Sequence, residues 1–339
     1  MPHPAHAHRR RAMLVIGALL LCAVASLLFA GMTGSIAVPL AEMPDALRQL
    51  AQGDSSLAAS LLELRASRAL TAFVTGGALA LAGVMMQALL RNPLADPYVL
   101  GISAGASVGA LLALLLMAAA IVVDLAALGG AVAVSMLLYL LARRDLRGGL
   151  ALEGGTSMLL LTGVILSSAC MALVTLMLSI APEGRLRSMI FWMIGDLAGA
   201  PLRLAPWLVL GAGLLYALRS ARAMNMVALH AEAAVTLGIR VGRLRKGLFL
   251  VSGVLTASAV TSAGSVGFVG LIVPHACRFA FGPDHRVLIP AAVLAGGSFL
   301  VLCDTLARTV IAPQQLPVGA ITAIIGAPVF LYQLHRLRR

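Results

Sequence analysis

The chain has 339 residues, of which 60% are hydrophobic and only 11% are charged, and its formal net charge is +12 at pH 7. Soluble domains carry about 25% charged residues, so this composition excludes a soluble protein and indicates one that crosses a membrane several times. The basic residues are scattered between apolar runs instead of forming one patch, which argues against nucleic-acid binding. The apolar runs are continuous, so we expect α-helical spans and an all-α fold.

The first 31 residues join a basic segment to an apolar run, as a signal peptide does. No good small-x-small cleavage site follows Ala30, so we interpret the run as an uncleaved first span. His3, His6 and His8 could hold a metal ion, but a disordered polar tail is the simpler interpretation. The four cysteines lie inside apolar segments without metal-ligand spacing and are interpreted as packing residues, so no metal site is expected.

Apolar runs separated by proline, glycine and charged residues predict a single transmembrane domain, residues 1–339, with about ten spans. The predicted spans are 12–31, 67–90, 98–118, 120–142, 157–180, 203–219, 246–263, 266–281, 287–312 and 317–335. If the N-terminus is inside, most arginines fall in cytoplasmic loops and tails, as the positive-inside rule requires. We therefore expect a polytopic membrane protein with both termini cytoplasmic.

The most informative stretch runs from Arg65 to Ala110. An apolar run long enough to cross a bilayer ends at the segment RNPLADP, and a span rich in glycine, alanine and serine follows at once. Pro93 and Pro97 cannot both lie inside one continuous helix, so the chain must break between these spans. The small residues beyond the break let helix backbones approach closely in lipid.

This pattern resembles the FecCD family, the membrane permeases of ABC importers for ferric siderophores, haem and cobalamin, and the likeness extends nearly end to end. The resemblance implies a multi-pass protein of the bacterial inner membrane that works as a homodimer or as a dimer with a close paralogue. It also implies two cytoplasmic ABC ATPase subunits and a periplasmic or lipoprotein substrate-binding protein as partners, with membrane lipids around the spans. Ferric siderophore is the expected substrate because it is the commonest in the family, while haem and cobalamin remain open.

Residues 220–245 are predicted to form a cytoplasmic loop that couples the permease to its ATPase. The apolar positions up to Leu237 suggest a short amphipathic helix, Gly238 permits a chain reversal, and a second short helix begins at Val241. Such an element could dock into a cleft by helix-in-groove packing. The resemblance implies that it lies in the ATPase cleft, and Glu232, Leu237, Gly238 and Arg240 are the assigned residues; an ordinary basic loop is the alternative.

Three arginines, Arg65, Arg68 and Arg308, lie at the outer ends of their spans, against the charge bias. By resemblance, these positions meet glutamates on the two lobes of the binding protein. Asp304 precedes Arg308 by one helical turn and is placed to pair with it. The alternative is that the arginines snorkel to the outer headgroups. Ala66-Ser67 departs from the Leu-Pro that relatives often carry there.

The resemblance also places a cytoplasmic gate at Asn92, Leu94, Thr156 and Ser157, at the inner ends of the second and fifth spans. Helix capping by Thr156 or Ser157 is the alternative interpretation. Between the fifth and sixth spans, the segment around Trp192 is predicted to form a short helix near the outer interface.

The chain contains no G-x-x-x-x-G-K-[ST] loop, so we expect ATP and Mg²⁺ to bind the partner ATPase and no cofactor or catalytic residue in this chain. The alternative function is a proton-coupled secondary transporter, which needs ionisable residues near the bilayer midplane. Only Asp304 lies clearly within a predicted span, and Arg308 can neutralise it, which disfavours proton coupling. An intramembrane enzyme is disfavoured because the chain has no HExxH motif.

Overall fold

A computed structural model describes residues 4–36, 39, 42–52, 56–147, 153–229 and 231–337. This part of the chain is helical throughout and contains no strand. Its helices are α1 (Pro4–Met32), α2 (Met43–Gln52), α3 (Leu57–Leu90), α4 (Ile102–Leu115), α5 (Ala120–Arg147), α6 (Glu153–Ile180), α7 (Glu183–Ile194), α8 (Leu204–Leu229), α9 (Ala231–Thr236), α10 (Val241–Ala263), α11 (Val269–Phe281), α12 (His285–Thr309) and α13 (Val318–Leu337). A short 3-10 helix, Pro97–Leu100, precedes α4.

The all-α polytopic architecture expected from the sequence is confirmed. Seven of the described helices are long and apolar enough to cross a membrane, namely α1, α3, α5, α6, α8, α10 and α12. The shorter apolar helices α4, α11 and α13 occupy the remaining three predicted segments. Every predicted span therefore falls on a helix.

Two boundaries differ clearly from the prediction. Helix α3 begins ten residues earlier than expected, at Leu57, because Ser56 caps it by accepting a hydrogen bond from the Ala59 N–H at 3.2 Å. Helix α8 continues ten residues beyond the expected end, to Leu229. In both places polar residues that suggested a loop instead lie on a helix that extends past its apolar part.

The N-terminal segment is also more ordered than expected. Helix α1 begins at Pro4, so the tail that was interpreted as disordered is helical from there, in keeping with the helix-forming alanines and arginines that lead into the apolar run. The side chains of His3, His6 and His8 lie outside the described part, so the metal-site interpretation is not tested. Cys277 and Cys303 are buried as packing residues, whereas Cys22 is exposed on α1.

The predicted chain break after α3 is confirmed. Arg91 ends α3 in the left-handed conformation, with φ of 49°. Asp96 then caps the 3-10 helix, because its Oδ1 accepts a hydrogen bond from the Tyr98 N–H at 2.7 Å. Gly101, with φ of 75°, separates that turn from α4, so the third predicted span is a 3-10 turn followed by a short helix.

Helix α3 is the centre of the bundle, and α1, α8, α10, α11 and α12 all pack on it. From Ala69 to Leu90 its residues are buried around almost the whole circumference, as expected for a helix segment that is hydrophobic on every side. Two glycines bring backbones into contact. A Cβ atom on Gly83 would lie 1.9 Å from the Gly270 carbonyl oxygen of α11, and one on Gly76 would lie 2.2 Å from the Gly296 carbonyl oxygen of α12.

We expect Gly83→Ala to destabilise the protein, because the added methyl group would clash with the backbone of Gly270, which cannot move aside as a flexible side chain can. Overpacking of this kind costs about 1–3 kcal/mol. Gly211→Ala on α8 is the matched control, since nothing lies within 4 Å of the position that its methyl group would take and alanine favours a helix by about 0.5–1 kcal/mol over glycine. Thermal melting in detergent should show a lower Tm for the first variant and an unchanged or higher Tm for the second; equal melting would contradict the close contact.

The orientation of the bundle is a separate prediction. With both termini cytoplasmic, Asp145→Cys at the end of α5 and Ala231→Cys in α9 should face the cytoplasm, while Glu183→Cys in α7 should face outward. In a cysteine-free background, an impermeant maleimide added to intact cells should label only the third variant. Labelling of the first two from outside would reverse the orientation.

Candidate functional site

The outer end of the bundle contains a buried cluster of Arg68, Asp304 and Arg308. The Arg68 Nη2 lies 2.8 Å from the Asp304 Oδ1, and the Arg68 Nε donates to both carboxylate oxygens at 2.9 Å. The Arg68 Nη1 donates to Gln315 at 2.7 Å, and the Arg308 Nε lies 3.7 Å from the Asp304 Oδ2. One carboxylate thus links α3 to α12.

The remaining arginine contacts join α1 to this cluster. Arg308 Nη2 donates to the carbonyl oxygen of Ala30 at the end of α1. Arg65 donates to the carbonyl oxygen of Ile36, in the segment that follows α1. Neither bond involves an acidic partner, so Arg65, unlike Arg68, has no ion pair among the described residues.

The three arginines are more buried than expected. Arg65, Arg68 and Arg308 have relative exposures of 6%, 8% and 4%. Residues that dock a partner are ordinarily exposed, whereas these guanidinium groups are enclosed because they bond to neighbouring helices and to the segment after α1. The same bonds also argue against the alternative that these arginines snorkel to lipid headgroups. The docking role of these residues stays a prediction.

The cluster nevertheless keeps an excess of positive charge. Arg65 precedes Arg68 by three residues on α3, so three guanidinium groups and the single carboxylate of Asp304 give these four side chains a formal charge of +2. Such a field would attract carboxylates that approach from outside, and electrostatic complementarity governs association rates more than final affinity. The cluster can therefore both hold helices together and orient an acidic partner.

The predicted coupling segment contains a short helix that ends at a glycine, as expected. Gly238 has φ of 82°, a conformation that L-residues with side chains rarely adopt. The Gly238 N–H donates to the Val235 carbonyl at 2.9 Å, and the Ile239 N–H donates to the Ala234 carbonyl at 3.0 Å. This pair of bonds is a Schellman motif, which closes the end of α9.

A small apolar cluster anchors this segment. Val227 of α8, Ala234 of α9 and Val241 of α10 are buried against one another, and Ile239 packs on them. Leu229, the last residue of α8, and Leu237, directly after α9, are 75% and 66% exposed, and Arg240 is exposed as well. The packed connection around α9 thus carries exposed apolar side chains at both of its ends, which suits docking into a groove. The Glu232 side chain lies outside the described part.

The extent of the predicted loop 220–245 needs correction. Residues up to Leu229 belong to α8, and the expected second short helix does not exist separately, because α10 runs without a break from Val241 to Ala263. Only residues 230–240 connect the two long helices. The sequence suggested a longer loop because its charged residues lie on the ends of these helices, beyond their apolar parts.

Sequence reasoning missed a polar contact beside the coupling segment. Asn225 of α8 donates from Nδ2 to the Asp284 Oδ1 at 2.6 Å, and its Oδ1 accepts from the His285 N–H at 2.9 Å. Burial would raise the pKa of the Asp284 carboxyl, but hydrogen bonds from the Arg286 N–H and Asn225, with the nearby charges of Arg286 and His285, bring it below its ordinary value. This contact ties the inner end of α8 to the start of α12. The partners are 59 residues apart, so no local pattern could reveal it.

The predicted gate residues fall on two separate helix ends. Asn92 follows α3, and its side-chain oxygen accepts from the Leu94 N–H at 2.9 Å, while Leu94 is 39% exposed. Thr156 and Ser157 lie inside α6, three and four residues after its first residue, Glu153. Neither is at the N-cap, so the capping alternative is wrong; their side chains lie outside the described part, and the gate stays a prediction.

The short helix predicted around Trp192 is confirmed as α7, but it is more than a surface anchor. Met189 is fully buried. A Cβ atom on Gly264 would lie 2.3 Å from the Trp192 carbonyl oxygen, and one on Gly319 would lie 1.7 Å from the Ile194 carbonyl oxygen. The end of α7 is therefore held between the end of α10 and the start of α13.

Two aspartates inside the spans are paired with arginines. Besides Asp304, Asp124 lies near the start of α5 and within the predicted span 120–142, and its Oδ2 is 2.5 Å from the Arg203 Nη2. Protonation of Asp304 would leave two buried guanidinium groups without a counter-charge, which is costly. Both pairs disfavour the secondary transporter alternative, which needs carboxylates free to exchange protons.

Comparison with known proteins decides the family. A model of the FecCD transport family matches residues 18–336. The chain belongs to the FecCD transport family. Among curated FecCD relatives, the vitamin B12 import system permease protein BtuC of Escherichia coli is 39% identical over 282 residues, which cover 82% of this chain and 84% of the relative. The cobalamin import system permease protein BtuC of Halobacterium salinarum is 41% identical over 277 residues, which cover 80% of this chain and 72% of the relative.

A solved structure of a metal-chelate type ABC transporter in an inward-facing conformation has the same fold. It aligns with a TM-score of 0.80 and 28% sequence identity, and the alignment covers 95% of this chain and 99% of that chain. This FecCD chain is therefore a multi-pass permease subunit of an ABC importer in the inner membrane. It is a transport subunit.

Proposed function

We propose that this permease carries cobalamin, or a corrinoid of the same chemistry, across the inner membrane. The observation that carries the proposal is the identity of 39–41% to two cobalamin permeases over about four fifths of the chain. A ferric siderophore was expected because it is the commonest substrate in the family. No comparable sequence identity supports it, so we propose cobalamin as the substrate instead. Two copies of the chain, or one copy with a close paralogue, would enclose the pathway between them.

Partner subunits would supply the energy and the substrate. ATP and Mg²⁺ would bind two cytoplasmic ATPase subunits, since this chain has no phosphate-binding loop. The exposed Leu237 beside the rigid turn at Gly238 would enter a cleft on each ATPase, and Arg240 would flank it. Because α9 is packed against α8 and α10, movement of the ATPase would reach the spans directly.

Substrate would pass from a binding protein at the outer end to a gate at the inner end. The positive field of Arg65, Arg68 and Arg308 would orient carboxylates on that protein. Asn92 and Leu94, together with Thr156 and Ser157 from α6, would narrow the inner end of the path. Release requires weak binding, and a chain with only 4% aromatic residues offers few stacking platforms for a corrin ring.

The decisive experiment is uptake of radiolabelled cobalamin by cells that lack their own cobalamin permease and receive this chain with its cognate partners. We expect uptake that vanadate abolishes and a protonophore leaves largely intact, with no uptake of a ferric siderophore. Inhibition by the protonophore alone would favour the proton-coupled alternative. Siderophore uptake without cobalamin uptake would overturn the proposed substrate.

Docking of the binding protein is best tested at Arg65. We expect Arg65→Glu to weaken docking and slow uptake, because the reversal removes a positive charge that attracts the carboxylates of the binding protein and adds a negative charge that repels them. Arg65 has no ion pair among the described residues, so the change leaves no carboxylate without its positive partner. Binding measured at several salt concentrations should show a smaller salt dependence than the wild type. Arg65→Gln is the control and should have about half the effect; unchanged docking in both variants would remove Arg65 from the interface.

A further inference from the structure

Two adjoining cavities, one at the outer end of the bundle and one that extends from it toward the inner end, differ in chemistry. The first, of about 180 Å³, is polar and is lined by Asp124, Asp196 and Arg203 with neighbouring backbone of the α7–α8 connection. The second, of about 620 Å³, is an apolar groove between α5, α8 and α10. Arg203, Pro206, Thr261 and Ser262 line both, so the two form one continuous amphipathic site.

The polar cavity lies at the level where three helices end. Asp124 is close to the start of α5, Arg203 directly precedes α8, and Ser262 is next to the last residue of α10. Trp192 also lines it, and tryptophan is enriched at membrane–water interfaces. The cavity is therefore at the depth of lipid headgroups.

The apolar groove runs from this level into the membrane span. On α10 its lining extends from Phe249 to Ser262, a rise of about 20 Å at 1.5 Å per residue. One leaflet contributes about half of a hydrocarbon core that is about 30 Å thick, so the groove is long enough for an acyl chain of the outer leaflet. Val132, Met136 and Val254 on its walls are half exposed and have no covering helix among the described residues.

The charges of the polar cavity select the headgroup. Arg203 is paired with Asp124, whereas Asp196 uses one oxygen to accept from the Ala198 N–H at 2.9 Å and has no ion pair among the described residues. A headgroup with a phosphate and an ammonium group could place the phosphate at Arg203 and the ammonium at Asp196. An anionic headgroup without an amine would place its phosphate at the same arginine but would offer Asp196 no cation, so the carboxylate would only repel it.

We infer that this amphipathic site binds a phospholipid with an ethanolamine headgroup, with its headgroup in the polar cavity and one acyl chain in the groove between α5, α8 and α10. The inference is independent of the transported substrate. It concerns a site for a structural lipid on the outer face of each protomer, away from the coupling segment.

Native mass spectrometry of the delipidated protein, exposed to equal amounts of phosphatidylethanolamine and phosphatidylglycerol with the same acyl chains, tests the site. We expect the wild type to retain phosphatidylethanolamine at least fivefold above phosphatidylglycerol. Met136→Trp should fill the groove and lower that retention at least fivefold. Leu137→Trp is the matched control, because Leu137 is the adjacent residue on α5, is also exposed and does not line the groove.

The headgroup part of the inference has its own variant. Asp196→Asn keeps an oxygen for the Ala198 N–H but removes the negative charge, so the preference for ethanolamine over glycerol should fall about fivefold. Val254→Phe gives a second means of filling the groove if Met136→Trp proves unstable. Equal retention by Met136→Trp and Leu137→Trp would overturn the groove assignment, and so would cross-linking of Met136→Cys to a second copy of the chain. Equal wild-type binding of both lipids, or an unchanged preference in Asp196→Asn, would overturn the headgroup assignment.

Discussion

Asp304→Asn should be the most destabilising single substitution among the charged residues of this permease. The carboxylate of Asp304 is 1% exposed and lies within hydrogen-bonding distance of Arg68 and within 3.7 Å of Arg308. Its neutralisation leaves two buried guanidinium groups without a counter-charge, and removal of one member of a buried pair costs about 3–5 kcal/mol. We expect a large fall in Tm in detergent and poor recovery of folded protein.

A double-mutant cycle separates this ion pair from general damage. The double variant Asp304→Asn with Arg68→Gln should lose clearly less stability than the sum of the losses in the two single variants. Each single change leaves a buried charge unpaired, and the double variant removes both charges of the pair. Asp45→Asn, at an exposed position of α2, serves as the control and should melt like the wild type. Additive losses in the cycle would show that Arg68 and Asp304 do not interact.

The buried pair also changes how docking must be probed. Reversal of Arg68 to glutamate would bring a second carboxylate against Asp304, in a place where both are nearly inaccessible to water. A loss of docking in such a variant would then report misfolding instead of a missing contact. For this reason Arg65, which bonds only to a carbonyl oxygen, is the better site for charge reversal.

Gly238→Val should uncouple ATP hydrolysis from transport while the protein still inserts and folds. Gly238 has φ of 82° and nothing lies within 4 Å of the position that an added Cβ would occupy, so the penalty comes from backbone conformation and not from a clash. A left-handed conformation costs a residue with a side chain about 1–2 kcal/mol, and a β-branched side chain tolerates it least. We expect transport-coupled ATPase activity in nanodiscs to fall roughly tenfold, since each 1.4 kcal/mol changes a population tenfold.

Gly238→Asn is the matched control for this position. Asparagine adopts the left-handed conformation more readily than other residues with side chains, so this variant should keep most of the coupling. Equal activity of the valine variant and the wild type would mean that the turn only connects two helices. Equal loss in both variants would mean that the bulk of any side chain, and not the turn, interferes with the ATPase cleft.

Local patterns allowed the correct placement of the spans and of the coupling turn. The ten apolar segments and the glycine reversal at Gly238 each depend on residues close in sequence, which is why they could be predicted. Helix ends were less accurate, because the polar residues near Leu57 and Leu229 resemble loops although they lie on continuous helices. Membrane spans are recognised by hydropathy, and hydropathy does not show how far a helix continues beyond its apolar part.

Long-range pairing could not be predicted. The sequence placed Asp304 beside Arg308 because they are four residues apart, but its closer partner is Arg68, 236 residues away. The contact of Asn225 with Asp284 was missed for the same reason. The burial of the outer arginines could not be predicted either, since it depends on the packing of α1 and α12 against α3.

The glycine contacts of α3 limit how this permease can move. If α12 slid along α3 by one helical turn, about 5.4 Å, the Gly296 carbonyl would face Ala72 or Ala80 in place of Gly76, and a methyl group would occupy the space that the backbone needs. The contact of Gly83 with Gly270 blocks the same displacement of α11. Sliding of α11 or α12 along α3 is therefore sterically blocked. Opening and closing of the path must then come from rotation of whole bundles or from movement of the peripheral helices.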